Sequence, residues 1–181
     1  IDDFYVSHGA VGGDIASLSF TEESGFVLDN LSGIFSVDNG MIALADVEIT
    51  SAESYVNMPS LFLTGDGWDS YHDFINKVRM SINIEKSSVT SDMVGYFAPT
   101  LRGWDTTISD ATLSMKGTVA DFNARIDNLR LEDGGTLKAS AAIKGLTNIN
   151  RTRLNVNVTQ VDVTTTEFVR LLSNIAHLEI P

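Results

Sequence analysis

"VRMSINIE", residues 78–85, sends Val78, Met80, Ile82 and Ile84 to one side and Arg79, Ser81, Asn83 and Glu85 to the other. That two-residue period is the mark of a strand with one face covered and one face wet. The same scheme returns in "LSMK" with Leu113 and Met115, in "LKASAAIK" with Leu137, Ala139, Ala141 and Ile143, and in "LNVNV" with Leu154, Val156 and Val158. Between apolar runs, "SVDNGMIAL" places Asn39-Gly40 where a hairpin needs two residues that tolerate positive φ. "EDGGTL" at 132–137 reads as a second turn. The chain is therefore expected to be mainly β, built of antiparallel hairpins.

The alternation also slips, and always in the same manner. An apolar residue is followed by two positions, the second Asp, Asn or Gln, before the next apolar residue arrives in shifted phase. "LDNL" from 28, "LADVEI" from 44, "ISDATL" from 108, "IDNLRL" from 126 and "VTQVDV" from 158 all fit. The first two begin 16 residues apart, the third and fourth 18, and the last two 32, the spacing of one hairpin or two. A strand that keeps its apolar residues on one face across such a step needs an extra residue, a β-bulge. The other reading makes some of these steps turns between short strands. Repeated bulges twist and curl a sheet, so the expected fold is a curled, bulged sheet or trough with two or three short helices. A closed β-sandwich is the alternative. Small residues at Ala139 and Ala141 favour the open form, because sandwich cores ask for bulkier side chains. The whole of 1–181 reads as one β-repeat segment of a larger protein, dividing into repeat units 1–98 and 99–181.

Three stretches depart from the strand pattern. In "SDMVGYFAPTL", residues 91–101, Ser91 is placed as N-cap and Asp92 in the first turn, with Met93, Val94 and Phe97 on one side. Pro99 disfavours helix at Ala98. "TEFVRLLSNI", residues 166–175, repeats that design with Phe168, Val169 and Leu172 on its apolar side. Both are read as short covering helices. "DSYHDFINK" at 69–77 is a third short helix on the same grounds.

Composition narrows the function. With 24 Asp and Glu against 12 Lys and Arg the net charge is -12, which opposes binding to a phosphate backbone and speaks against nucleic acid. The absence of cysteine removes disulfides, thiolate zinc sites and thiol catalysis. No apolar run approaches the roughly 20 residues of a membrane-spanning helix. His8, His72 and His177 lack metal-ligand spacing, and Asp66, Asp69 and Asp73 lack the alternation of a calcium loop. "HGAVGGD" at 8–14 leads into a strand rather than a helix, so it forms no phosphate cradle. No nucleophile elbow occurs. The expectation is a protein that is not an enzyme, with no catalytic residue, no metal and no cofactor.

Three stretches together, 17–63 ("SLSFTEESGFVLDNLSGIFSVDNGMIALADVEITSAESYVNMPSLFL"), 86–103 ("KSSVTSDMVGYFAPTLRG") and 137–168 ("LKASAAIKGLTNINRTRLNVNVTQVDVTTTEF"), resemble the periplasmic repeats of the TamB family in the wider AsmA-like group. The resemblance implies an internal stretch of a long periplasmic protein, held to the inner membrane by an amino-terminal helix absent from this chain. It also implies an outer-membrane partner of the BamA-like barrel class, reached through regions outside this fragment. Such proteins are expected to form a trough with an oily lining that moves phospholipid acyl chains or supports outer-membrane protein assembly, with adjoining repeats of the same chain as neighbours. On that reading the trough is lined by Ile82, Ile84, Leu113, Met115, Leu137, Ile143, Leu154, Val156 and Val158. The competing readings are a scaffolding module with a sealed core, and a carbohydrate-binding β module using Trp68, Tyr71 and Trp104.

Overall fold

The tight turn at Asn39-Gly40 sets the pattern for the sheet. Both residues take positive φ, 35° and 79°, and Asp38 pairs with Met41 across the turn. In the computed structural model, which describes residues 2–7, 9–23, 25–93, 107–132, 134–145 and 152–163, this hairpin joins β3 (Val27–Asp38) to β4 (Met41–Ser51). It is preceded by β1 (Asp2–Ser7) and β2 (Ala10–Thr21) and followed by β5 (Ser54–Thr64). Then come β6 (Arg79–Val89), β7 (Ile108–Gly117), β8 (Asp121–Leu131), β9 (Thr136–Lys144) and β10 (Arg153–Asp162). All ten lie in one sheet in chain order, β1 and β10 at its edges, and each neighbouring pair is antiparallel. The sheet is therefore an open meander. The closed sandwich is not adopted: among the described residues, extensive contacts run only between strands adjacent in sequence, and no second sheet lies across either face.

All five slipped stretches are bulges. The ladder shifts at Asp29–Asn30, at Asp46–Val47 opposite Gly33, at Ser109–Asp110 and Asp127–Asn128, and at Thr159. None is a turn between strands. Further bulges occur at Asp3–Phe4, Ala16–Ser17, Met58–Pro59 and Lys86–Ser87. Many fall level with one another. Ala16–Ser17 lies opposite Ser32, Gly33 opposite Asp46–Val47, Met58–Pro59 opposite Ile84, and Asp127–Asn128 opposite Lys138, so a line of irregularities crosses the sheet. Each bulge bends its strand and sharpens the right-handed twist, and a continuous line of them curls the sheet.

A bulge frees backbone groups from the ladder, and these need other partners. Polar side chains at the bulges supply many of them. Ser109 donates to the Arg130 carbonyl, Thr159 to the Lys138 carbonyl, and the Lys86 N–H donates to Thr112 Oγ1, while the Asp29 carboxylate reaches from its bulge to the Ala52 N–H of the β4–β5 turn at 2.6 Å. Ser87, fully buried, accepts from the Asn57 N–H at 2.9 Å and lies within hydrogen-bond distance of the Asn57 and Glu85 carbonyls. Neighbouring bulges are also tied to each other: Ser17 donates to Asn30 and Asn128 to Asp110. The Asp, Asn, Ser and Thr that mark the slips in sequence are thus the groups that close the hydrogen-bonding deficit.

One end of the sheet is closed by the stretch between β5 and β6. A 3-10 turn at Trp68–Asp73 runs into α1, Phe74–Lys77, as the third predicted helix. Val78, expected to begin the strand, instead ends α1 by donating to the Phe74 carbonyl and is completely buried. Ile75 accepts from the Ala120 N–H of the β7–β8 turn. At the opposite end residues 91–93 are helical. Their cap is Thr90 rather than Ser91, since Thr90 Oγ1 accepts from the Met93 N–H and is itself bonded to the Ser54 hydroxyl. Val94, Phe97, Phe168, Val169 and Leu172 lie outside the described residues.

Gly33 has φ of 151°, and a Cβ there would come within 2.9 Å of Val47 Cγ2 and 3.1 Å of the Ala45 carbonyl. Gly33→Ala is expected to cost about 1–3 kcal/mol through strain and overpacking at the bulge, read as a lower urea midpoint at unchanged slope. Ser87→Ala strands the Asn57 N–H without its acceptor and is expected to cost a similar ~1–3 kcal/mol, again by urea titration.

Candidate functional site: one continuous apolar face

Strand register sorts the side chains. Phe35, Leu44, Leu61, Ile82, Met115, Ala124, Ala141 and Val156 are successive ladder partners, one per strand from β3 to β10. The next row on the same face, two residues nearer the Asn39-Gly40 turn, runs through Val37, Ile42, Leu63, Met80, Gly117, Phe122, Ile143 and Leu154. On the other side Ile84, Leu113, Ile126, Ala139 and Val158 form a row. Beyond the bulges Ala111, Leu129, Leu137 and Val161 continue it. All nine predicted lining residues therefore share one face.

The bulges are the reason Leu129, facing Leu137, stays with Ile84 and Leu113. Without the extra residue at Asp127–Asn128, the period of two would turn Leu129 and everything past it to the opposite side. Along β8 and β9 the face drops to Ala124, Ala139 and Ala141, between Met115 and Ile84 on one flank and Val156 and Val158 on the other. It is exposed most at its margins: Leu154 is 64%, Val156 51% and Val158 52% accessible on the edge strand. Ile82, Ile84, Leu113 and Met115 in the middle are half-buried. Few large side chains are fully enclosed, Val47 and Val78 among them.

The half of the face on β3–β5 escapes a reading by alternation alone. "GIFSV" and "SLFLT" carry consecutive apolar residues, because Ile34 and Phe62 point to the polar face and are 44% and 41% exposed there. The signal that recovers Phe35, Leu44 and Leu61 is the Asn39-Gly40 turn, which fixes Asp38 against Met41 and every pair behind it. Pro59 inside "YVNMPSL" is a comparable mark for a missed bulge, since proline cannot donate to a ladder.

The remaining candidates are dispersed. Tyr71 is committed to the fold: its hydroxyl lies 3.1 Å from both the Gly40 and Leu63 carbonyls, and its ring makes tilted contacts with Trp68, 5.3 Å away, and Phe74, 6.2 Å away. Trp68 is exposed beside it, and Trp104 lies outside the described residues. Asp73 accepts from Asn76. Met93, half-buried, lines with Val27, Ser51 and Thr90 a depression of about 450 Å³ at the far end of the sheet. Among the described residues no group of three His, Cys, Asp or Glu is placed to hold a metal ion, and no helix is long and apolar enough to cross a membrane. No protein-family model, curated protein or solved structure matches this chain.

Burial holds the Tyr71 hydroxyl above its ordinary value of 10.0. A raised folded value means that the neutral phenol contributes stability below pH 10, and that this contribution is lost as pH rises through the shifted value. Tyr71→Phe is expected to cost about 1 kcal/mol at neutral pH by removing the hydroxyl bonds and to flatten the fall in stability above pH 10, measured by thermal unfolding across that range.

Proposed function

We propose that this chain is a segment of an envelope-spanning bridge of the TamB type, passing phospholipid acyl chains along its apolar face between inner and outer membrane. The observation that carries the reading is the apolar face itself, continuous over the eight strands from β3 to β10 with no second layer on it among the described residues. A large contiguous apolar surface marks an interaction site in a soluble protein. Acyl chains need no specific chemistry to occupy it, only removal of methylenes from water, at about 0.8 kcal/mol per CH₂. The edges β1 and β10 suit adjoining repeats of the same chain, which would extend the face into a path. Support of outer-membrane protein assembly through a BamA-like barrel is the other activity implied by the resemblance, and it would use the same face to shelter apolar strands. Such a segment works in the periplasm, attached to the inner membrane by a helix elsewhere in the protein, and needs neither catalytic residue nor cofactor.

Positions on opposite faces of the sheet provide the test. A photocrosslinking residue at Met115 in the full-length protein in cells is expected to yield phospholipid adducts, and one at Asn157 on the polar face none. Val156→Asp puts a charge in the path at a half-exposed site, so stability should change by no more than about 1 kcal/mol while adducts at Met115 fall. Adducts absent from Met115, or equal at the two positions, would sink the lipid path and leave the scaffolding module.

A further inference from the structure

The polar face carries its own organisation, independent of the apolar one. No Lys or Arg precedes Lys77, so β1–β5 contain no cation, and their polar face presents Asp14, Asp38 and Glu48. Across β7–β10 the same face presents Lys116, Arg125, Lys138, Lys144 and Arg153. The carboxylates on this part of the face are fewer: Asp121 accepts from the Gly145 N–H, Asp127 from Arg125 Nε at 2.6 Å and Asp110 from the Asn128 amide, and Asp162 stands at the far end of β10. Lys116 has no carboxylate in ion-pair range among the described residues. In a chain of net charge -12 this is a local basic island.

The island contains two depressions, of about 360 and 220 Å³. The larger is built from two adjacent ladder rows, Lys116–Asn123–Ala142–Asn155 and Ser114–Arg125–Ser140–Asn157. Its floor is low because Ser114, Ser140 and Ala142 are small, and its rim is formed by amides and cations. Elsewhere on this face the equivalent groups bond to each other, as Asn83 does to Ser60 at 2.7 Å. Here the Asn123, Asn155 and Asn157 amides make no side-chain hydrogen bond among the described residues.

We infer that this depression binds an acidic oligosaccharide lying across the strands. Each free amide offers both donors and an acceptor, which suits the paired hydroxyls of a sugar ring. Polar groups recur once per strand, at about 4.8 Å, close to the length of one pyranose unit. Lys116 and the remaining guanidinium donors of Arg125 answer carboxylates. A nucleic acid or polyphosphate would be held by cations alone and gain little from three unpaired amides. A lipid surface needs apolar anchors, and this patch has none larger than alanine.

The test is calorimetric titration of the protein with oligogalacturonate, maltohexaose and polyphosphate. Oligogalacturonate is expected to bind, maltohexaose much more weakly. Lys116→Glu should weaken oligogalacturonate at least about tenfold, the loss of one charged hydrogen bond, and Asn155→Ala with Asn157→Ala should weaken it comparably. All three positions are exposed, so circular dichroism should confirm an unchanged fold. No oligogalacturonate binding at millimolar concentration would overturn the inference. So would polyphosphate binding as tightly with no effect of the asparagine changes, or maltohexaose binding equally with no effect of Lys116→Glu.

Discussion

The bulge line is the constraint on which the rest of this sheet depends. A strand whose side chains alternate strictly can keep one face apolar only while its sequence keeps an even count, and here nearly every strand breaks that count near its middle. The extra residue restores phase, and freed backbone groups are taken up by Ser87, Ser109, Thr112 and Thr159. Phase and hydrogen bonding are thus solved by the same residues. Removing such a side chain takes a partner from a backbone group, a buried one at Ser87 and solvent-facing ones at Ser109, Thr112 and Thr159, whereas removing the bulge itself would turn half a strand inside out.

The consequence is an unusual distribution of burial. Val47 and Val78 are enclosed, but most of the apolar face is shielded only by lateral neighbours within the sheet. Stability must come chiefly from the ladders and from side-chain contacts between neighbouring strands, not from a sealed core. The helical insertion at 68–77 contributes by closing one end, where the Tyr71 hydroxyl and the close approach of Gly67 to Gly40 pin it to the hairpin. The two faces are therefore free to serve different ends, one offering methylene-compatible surface and the other a patterned array of charge and amide groups.

Much of this was legible before any coordinates. The phase slips marked five of the bulges because aspartate, asparagine or glutamine followed each apolar residue at a fixed offset, and Asn39-Gly40 announced its turn. Bulges at Ala16–Ser17 and Lys86–Ser87 were not announced: the first carries serine where the pattern asks for Asp, Asn or Gln, and in the second Ser87 replaces the apolar residue that would have revealed the shift. Ile34 and Phe62 hid the alternation in β3 and β5 by placing apolar groups on the polar side.

Local order, then, was written in the chain: which stretches are strands, where they turn and where their phase slips all follow from neighbours within a few residues. What the tertiary structure decided was adjacency. That Ile82, Met115 and Val156 belong to one surface, that Lys116 shares a ladder row with Asn123 and Asn155, and that among the described residues no second sheet covers the face depend on ladder register summed over ten strands. Each one-residue shift in that sum moves every later side chain to the other face, so no single stretch of sequence contains the answer.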